Sequence, residues 1–203
     1  MMSKDQETCE KKDQTTTREE SPSASNHSIM TIIMVPIENA LKTLESSDGE
    51  SKKENIVSRN LFAILKHFEH SPMDACDKIL RNKGITIVCQ AMSSFESVRI
   101  IQLQGCHILR LVGTHFPKTV LACDIVCQTM MHSIRSHRKF NTLTRVSLSA
   151  LRNLSTDFGC LLQMERHGLL DFLEEIIYNT QDPEAAEIGI SVATNLSSFS
   201  TPL

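Results

Sequence analysis

The chain has 203 residues, 40% apolar and only 4% aromatic, with no Trp and a formal net charge of −3. That length suffices for one domain with a sizeable core. The absence of any run of 18 apolar residues argues against a transmembrane helix, and the charged, Ser/Thr-rich start lacks the short apolar stretch of a secretory signal. Seven scattered cysteines fit reduced thiols in the cytoplasm, with the nucleus as the alternative, rather than a disulfide framework. Few Gly and Pro and no β-branched alternation favour an all-α chain.

Residues 1–28 are polar with mixed charge; they bury too little apolar surface to offset chain entropy and are expected to be disordered. Residues 29–46 hold an apolar run with a helix start near Pro36, residues 46–54 read as a loop, and 55–70 put Ile56, Leu61, Ile64, Leu65 and Phe68 at helical spacing. Together 29–70 is expected to be an atypical terminal cap. From Ser71-Pro72, an N-cap followed by proline at the first helical position, the pattern becomes regular. Helices are predicted to about Asn82, over 85–94 and over 97–113, with Gly84 as a breaker and Gly113 and Pro117 as the stop. The next unit carries helices near 117–123, 124–136 and 141–155. The last has 158–166, then 169–179 after a His167-Gly168 turn, then 183–198 opening on Asp182-Pro183. The units run 71–114, 115–156 and 157–203.

Segments beginning at 105, 147 and 189 (GCHILRLV, SLSALRNL and GISVATNL) align without a gap, 42 residues apart. Gly84, Val126 and Gly168 keep the same spacing before ITIVCQAM, CQTMMHSI and LLDFLEEI. A fixed period near 40 predicts stacked helical units. Three helices per period, the longest last, is the arrangement of armadillo repeats. The expected fold is thus an all-α, right-handed armadillo-like α-solenoid of three to four 42-residue repeats. Its last helix is expected to expose an apolar flank, awaiting a continuation or a partner.

Charge is segregated. From Ser97 to Thr156 there are eight basic residues and one acidic; from Asp157 onward, eight acidic and one basic. Three readings are open: solvated faces, a site for an acidic peptide in the middle unit, or a nucleic-acid surface. The last is disfavoured because no aromatic platform accompanies the arginines.

Asn153 and Asn195 occupy the same phase of two third helices, in LRNLS and ATNLS. Asn in a helix interior costs some propensity, so two in phase ask for a reason. An amide both donates and accepts: it serves either as an inter-repeat hydrogen bond or as a clamp on an extended peptide backbone. The first unit has Leu111 at this phase. Cys123 and Cys127 with His132 and His137 lack the tight C-x2-C knuckle of structural zinc sites, so core thiols and no metal are expected. No phosphate loop, nucleophile elbow, H-E-x-x-H or dinucleotide fingerprint occurs, so neither an enzyme nor a cofactor is expected.

The stretch VSLSALRNLSTDFGCLLQMERHGLLDFLEEII resembles armadillo repeats, and more narrowly the armadillo-like C-terminal region of the ZYG/ZER substrate receptors of cullin–RING ubiquitin ligases, over about residues 72–200. That family reads S-A-L-W-N-L-T-D at this place and captures substrate N-termini with the Trp, Asn and acidic residues. Asn153 and Asn195 match the family's Asn; Arg152 stands in place of the Trp, Thr156 in place of the acidic residue with Asp157 adjacent, and Ser198 at a second acidic position. Loss of the carboxylates removes the partner of an α-ammonium group. Arg in place of Trp turns an apolar wall cationic. The family's leucine-rich repeats and cullin-adaptor box are absent. Nuclear-import armadillo receptors, by contrast, carry Trp where Ser149 and Ser191 stand here.

The expected function is a non-catalytic interaction module for a protein or peptide ligand, acidic in character, with no membrane role. Its candidate binding residues are Arg145, Arg152, Asn153, Thr156, Asn195 and Ser198, and the resemblance implies cullin–RING ligase components among its partners. The alternative is a structural scaffold that self-assembles head to tail, acidic last unit on basic middle unit.

Overall fold

The computed structural model describes residues 50–81, 83–117 and 125–200. The expected tail at 1–28, the first part of the cap and most of the helix expected at 117–123 lie outside these residues. The described residues form helices and no strand: α1 (Glu50–His70), α2 (Pro72–Arg81), α3 (Gly84–Ser94), α4 (Arg99–His115), α5 (Ile125–Ser136), α6 (Asn141–Leu154), α7 (Phe158–Arg166), α8 (Leu169–Asn179) and α9 (Pro183–Ser200). The fold is all-α.

The long helices α4, α6 and α9 begin at Arg99, Asn141 and Pro183, successive starts 42 residues apart. They lie side by side in a row, with α1 packed against the free side of α4 and α6 held between α4 and α9. The helix pairs α2–α3 and α7–α8 pack beside α4 and α9, and α3 lies against α5. The buried stripe of α6 explains its central place: Leu143, Leu148, Leu151 and Leu154 are completely buried because, with Ser147 between the first two, they recur at helical spacing and meet a neighbour on each side. A single core runs the length of the described chain, from Val57 and Leu61 on α1 to Val192 and Leu196 on α9.

Polar groups inside this core are matched one to one. Buried Gln102 donates from Nε2 to the carbonyls of Met92 and Phe95, at 2.6 and 3.0 Å, closing the C-terminal end of α3. Ser147 on α6 donates to the Cys106 sulfur on α4 at 3.1 Å. Among the described residues no buried side-chain nitrogen or oxygen lacks a partner, as a stable core requires.

Three local expectations change. Gly113 does not stop a helix; it lies buried within α4, where an added Cβ would stand 3.0 Å from Leu154 Cδ2, so its smallness lets α6 approach. Gly84 is likewise the first residue of α3, set against Ile79, and the left-handed residue of that turn is Lys83, at φ 55°. In the last unit the corresponding N-cap is Gly168, at φ 65°. The expected loop at 46–54 overlaps α1, which already begins at Glu50 because no Gly or Pro interrupts residues 50–70.

Replacing exposed Lys83 by Gly is expected to stabilise the protein by about 1 kcal/mol, since a side chain in the left-handed region costs roughly that much. Gly168→Ala should cost about 1 kcal/mol by the same cause alone, because nothing lies within 4 Å of the added Cβ. Urea unfolding of the two variants checks both signs. Leu154→Ala should cost about 2–5 kcal/mol in the same assay, through the cavity it leaves between α4 and α6.

Candidate functional site

The exposed side of the α4–α6–α9 row is where the candidate residues fall. Arg145, Arg152 and Asn153 follow one stripe of α6, Thr156 lies in the turn just after it, and Asn195 and Ser198 follow one stripe of α9. Neighbouring helices meet here through hydrogen bonds that span about one unit of sequence.

Asn153 Nδ2 donates to Thr114 Oγ1 on α4 at 2.9 Å, and Asn195 Nδ2 donates to Ser155 Oγ at the end of α6 at 2.8 Å. The orientation of both amides is settled by the hydroxyls. Thr114 gives its one proton to the Arg110 carbonyl and Ser155 gives its own to the Arg152 carbonyl, each at 2.8 Å. Each hydroxyl oxygen must then accept, so each Asn turns its NH2 toward it. A hydrogen bond to the neighbouring helix is therefore present for both residues. It leaves each Oδ1 directed away from that tie, on a half-exposed residue. Leu111 lacks an amide, yet α4 takes part through Thr114, one turn further on.

The two hydroxyls that stand at acidic positions of the resembled family are spent locally: Thr156 donates to the Asn153 carbonyl and Ser198 to the Thr194 carbonyl, each at 2.8 Å. They offer an uncharged acceptor oxygen and no countercharge. Arg145 is engaged inside the chain. Its Nε donates to Asp182 at 2.7 Å and its Nη1 to Glu184 at 2.5 Å, both at the start of α9. Asp182 also caps α9 by accepting from the backbone N–H groups of Glu184 and Ala185. Arg152, by contrast, is exposed, and no described carboxylate pairs with it.

The segregated charge thus folds onto itself. Arg138 pairs with Glu175 at 2.6 Å, and Arg145 with Asp182, both across 37 residues. A common offset between basic and acidic positions is the signal that could have revealed this pairing in the sequence.

Two features escaped sequence reasoning. One is a cleft of about 370 Å³ between α1 and α4, floored by Phe62, Leu65, Phe68 and Leu111 and edged by His107 and Arg110. Burial, with Arg110 adding to it, holds His107 below the ordinary imidazole range, so its ring is neutral at pH 7. Thr114 follows Leu111 by one turn of α4 but does not line the cleft. The other is a basic cleft at the N-terminal ends of α4 and α6, lined by Arg99, Arg135 and Lys139 among others.

Cys123 lies outside the described residues, and the described thiols and imidazoles of the middle unit do not gather. Cys127 is buried with its sulfur on Met131, while His132 bonds the Glu96 carboxylate and His137 the Glu96 carbonyl. Among the described residues no three His, Cys, Asp or Glu side chains are placed to hold a metal ion. Burial pushes the thiols of Cys76 and Cys106 up to about 11 and those of Cys127 and Cys160 to about 12, so they are protonated and poor nucleophiles at neutral pH. No described helix is long and apolar enough to cross a membrane.

No protein-family model matches the chain, and no curated protein matches it. Among solved structures it is similar to the crystal structure of an engineered protein from a structural genomics consortium, at 17% identity and a TM-score of 0.61, over 86% of this chain and 68% of that one. At that identity the likeness bears on the fold alone.

The hydrogen bond from Arg145 holds the Asp182 carboxyl below its usual range, with help from the backbone N–H groups of α9 and against some desolvation. A depressed folded-state value means the stabilisation is complete above the unfolded value, about 3.9, and is lost as pH falls through the folded one. Asp182→Asn keeps a capping oxygen but removes the charge. It should lower Tm at pH 7, with the gap to wild type closing below about pH 4; thermal melts across that range check it.

Proposed function

We propose that the chain is a non-catalytic, armadillo-like α-solenoid module of 42-residue repeats that binds an extended protein segment along α4, α6 and α9. The reading is supported above all by the two amide ties that join the three helices, Asn153 to Thr114 and Asn195 to Ser155, with the apolar cleft at Phe62, Leu65 and Leu111 one turn of α4 from Thr114. An amide pinned by its own neighbour is a preorganised acceptor: its Oδ1 is held ready for a peptide N–H with little entropy left to lose. The cleft accepts an apolar side chain of the ligand, Asn153 and Asn195 hold its backbone, and Arg152 selects an acidic residue. Arg145 contributes by fixing α9 against α6.

The narrower reading is a divergent substrate receptor of a cullin–RING ligase, acting in the cytoplasm or nucleus. Without an acidic side chain at Thr156 or Ser198, it would take an internal or acidic segment rather than a free N-terminus. Ligase subunits in affinity purifications support this version, and their absence removes it. Head-to-tail self-assembly is the weaker alternative, since Arg138 and Arg145 already meet their acidic partners within one chain. It predicts oligomers that dissociate as salt rises.

Thr114→Val and Asn153→Ala separate the two roles of the amide. Both lose the same inter-helix tie, at about 1 kcal/mol each, but only Asn153→Ala loses the exposed oxygen. Affinity purification with each full-length variant should give a wild-type partner list for Thr114→Val and a depleted one for Asn153→Ala and for Arg152→Glu. Equal lists for Thr114→Val and Asn153→Ala would leave the amide as inter-helix glue only.

A further inference from the structure

The N-terminal ends of α4 and α6 frame a cleft of about 340 Å³ whose lining includes Arg99, Arg135, Arg138, Lys139, His137 and Phe140, and no carboxylate. We propose that this cleft binds a phosphorylated side chain of a protein segment. It is separate from the stripe of amides above, since neither Arg152, Asn153 nor Asn195 lines it.

The cations are held in place without being neutralised. The Arg99 guanidinium lies 5.4 Å from the Phe140 ring centre and that of Arg135 4.8 Å from Phe172. Ring faces fix the two groups by cation–π attraction while leaving their N–H edges unspent. Among the described residues no carboxylate pairs with Arg99, Arg135 or Lys139. Arg138 is compensated by Glu175 at 2.6 Å. The Glu96 carboxylate is taken up by His132, and His137 bonds only the Glu96 carbonyl. Uncompensated cations converging on one cleft repel each other, and a bound anion relieves that repulsion.

The starts of α4 and α6 point the same way, while the negative end of α5, which also reaches the cleft, is offset by Arg135 in its last turn. α9 opens with Asp182 as its cap and Glu184 in its first turn, so its exposed N–H groups and the positive end of its dipole meet the chain's own acids. α4 and α6 have no side-chain cap and no acidic residue in the first turn. Each contributes to the cleft at its first turn or cap, through Arg99 and Phe140 respectively.

A phosphate monoester fits this set better than a carboxylate, because it carries close to two charges and three acceptor oxygens for two guanidinium forks. A nucleotide is disfavoured, since of the two rings in the lining Phe140 already has Arg99 over it and His137 is tied to the Glu96 carbonyl, which leaves little for a base. A lipid surface is disfavoured because none of the exposed large apolar side chains lines the cleft.

The test is a titration of the isotope-labelled full chain with O-phospho-L-serine, read by amide chemical shifts, for wild type, Arg99→Gln/Lys139→Gln and Arg166→Gln, an exposed cation outside both surfaces. Wild type should show saturable shifts at residues 99–101 and 139–142. Affinity should fall about tenfold or more in the double variant, the scale of one lost charge-assisted contact, and stay unchanged in Arg166→Gln. An unaltered melting temperature establishes that the double variant is folded; if it is not, Lys139→Gln alone replaces it. Absence of saturable shifts, equal affinity in the variant, or an equal response to L-serine would overturn the proposal. Tighter binding of AMP, or retention on phosphatidylinositol phosphate vesicles that the variant loses, would overturn the assignment to a protein segment.

Discussion

The close contact of α6 with α4 on one side and α9 on the other is the constraint from which the rest of the molecule follows. It requires small residues where helices approach. An added Cβ at Gly113 would stand 3.0 Å from Leu154 of α6, and one at Gly189 would stand 4.0 Å from Leu148 of α6 and 3.0 Å from Ile177 of α8. It also requires that polar atoms caught in the contact find each other, as Ser147 finds the Cys106 sulfur. With those conditions met, Leu148, Leu151 and Leu154 are sealed from water, and burial of this kind is the main driving force for folding. The helices then have one register relative to each other, and the cross-helix pairs of α4, α6 and α9 join residues about 40 positions apart.

That register governs the exposed face as well. A tie from Asn153 to Thr114 or from Asn195 to Ser155 closes only when the helices are correctly offset, so the surface that would meet a ligand is rigid for the same reason that the core is packed. The charges obey the same geometry. Arg145 reaches both Asp182 and Glu184 because α6 and α9 are adjacent, and two blocks that look like an electrostatic dipole along the chain become cross-helix pairs in space. Of the cations left over, Arg99 and Lys139 lie where a helix starts with an apolar cap residue, at Val98 and Phe140.

Much of the helical pattern was legible. α7 and α8 lie where the apolar spacing places them, α6 ends within a residue of expectation, and Asp182 caps α9 as the Asp-Pro pair predicts. These features are local: cap, proline and a three- to four-residue repeat act within a single helix. Gly113 was misread because glycine carries two meanings, helix stop and close approach, and only the presence of Leu154 chooses between them. Lys83 was missed because a left-handed residue beside Gly84 is more naturally assigned to the glycine itself.

By itself the sequence determined the all-α class, most helix positions, the 42-residue spacing of the long helices and the identity of the amides worth attention. It also placed Arg145 among residues that would select a ligand, since a basic residue in an acid-poor stretch has no partner nearby along the chain. Only the tertiary structure decided which charges are spent and which remain: Arg145 is held by α9, whereas Arg152 and the Arg99–Arg135 pair have no described carboxylate. It alone brought Phe62 and Leu111 into one cleft. The reason is physical. Secondary structure follows from neighbours within a turn, but charge pairing and cavities depend on distances between helices separated by some 40 residues, which packing sets.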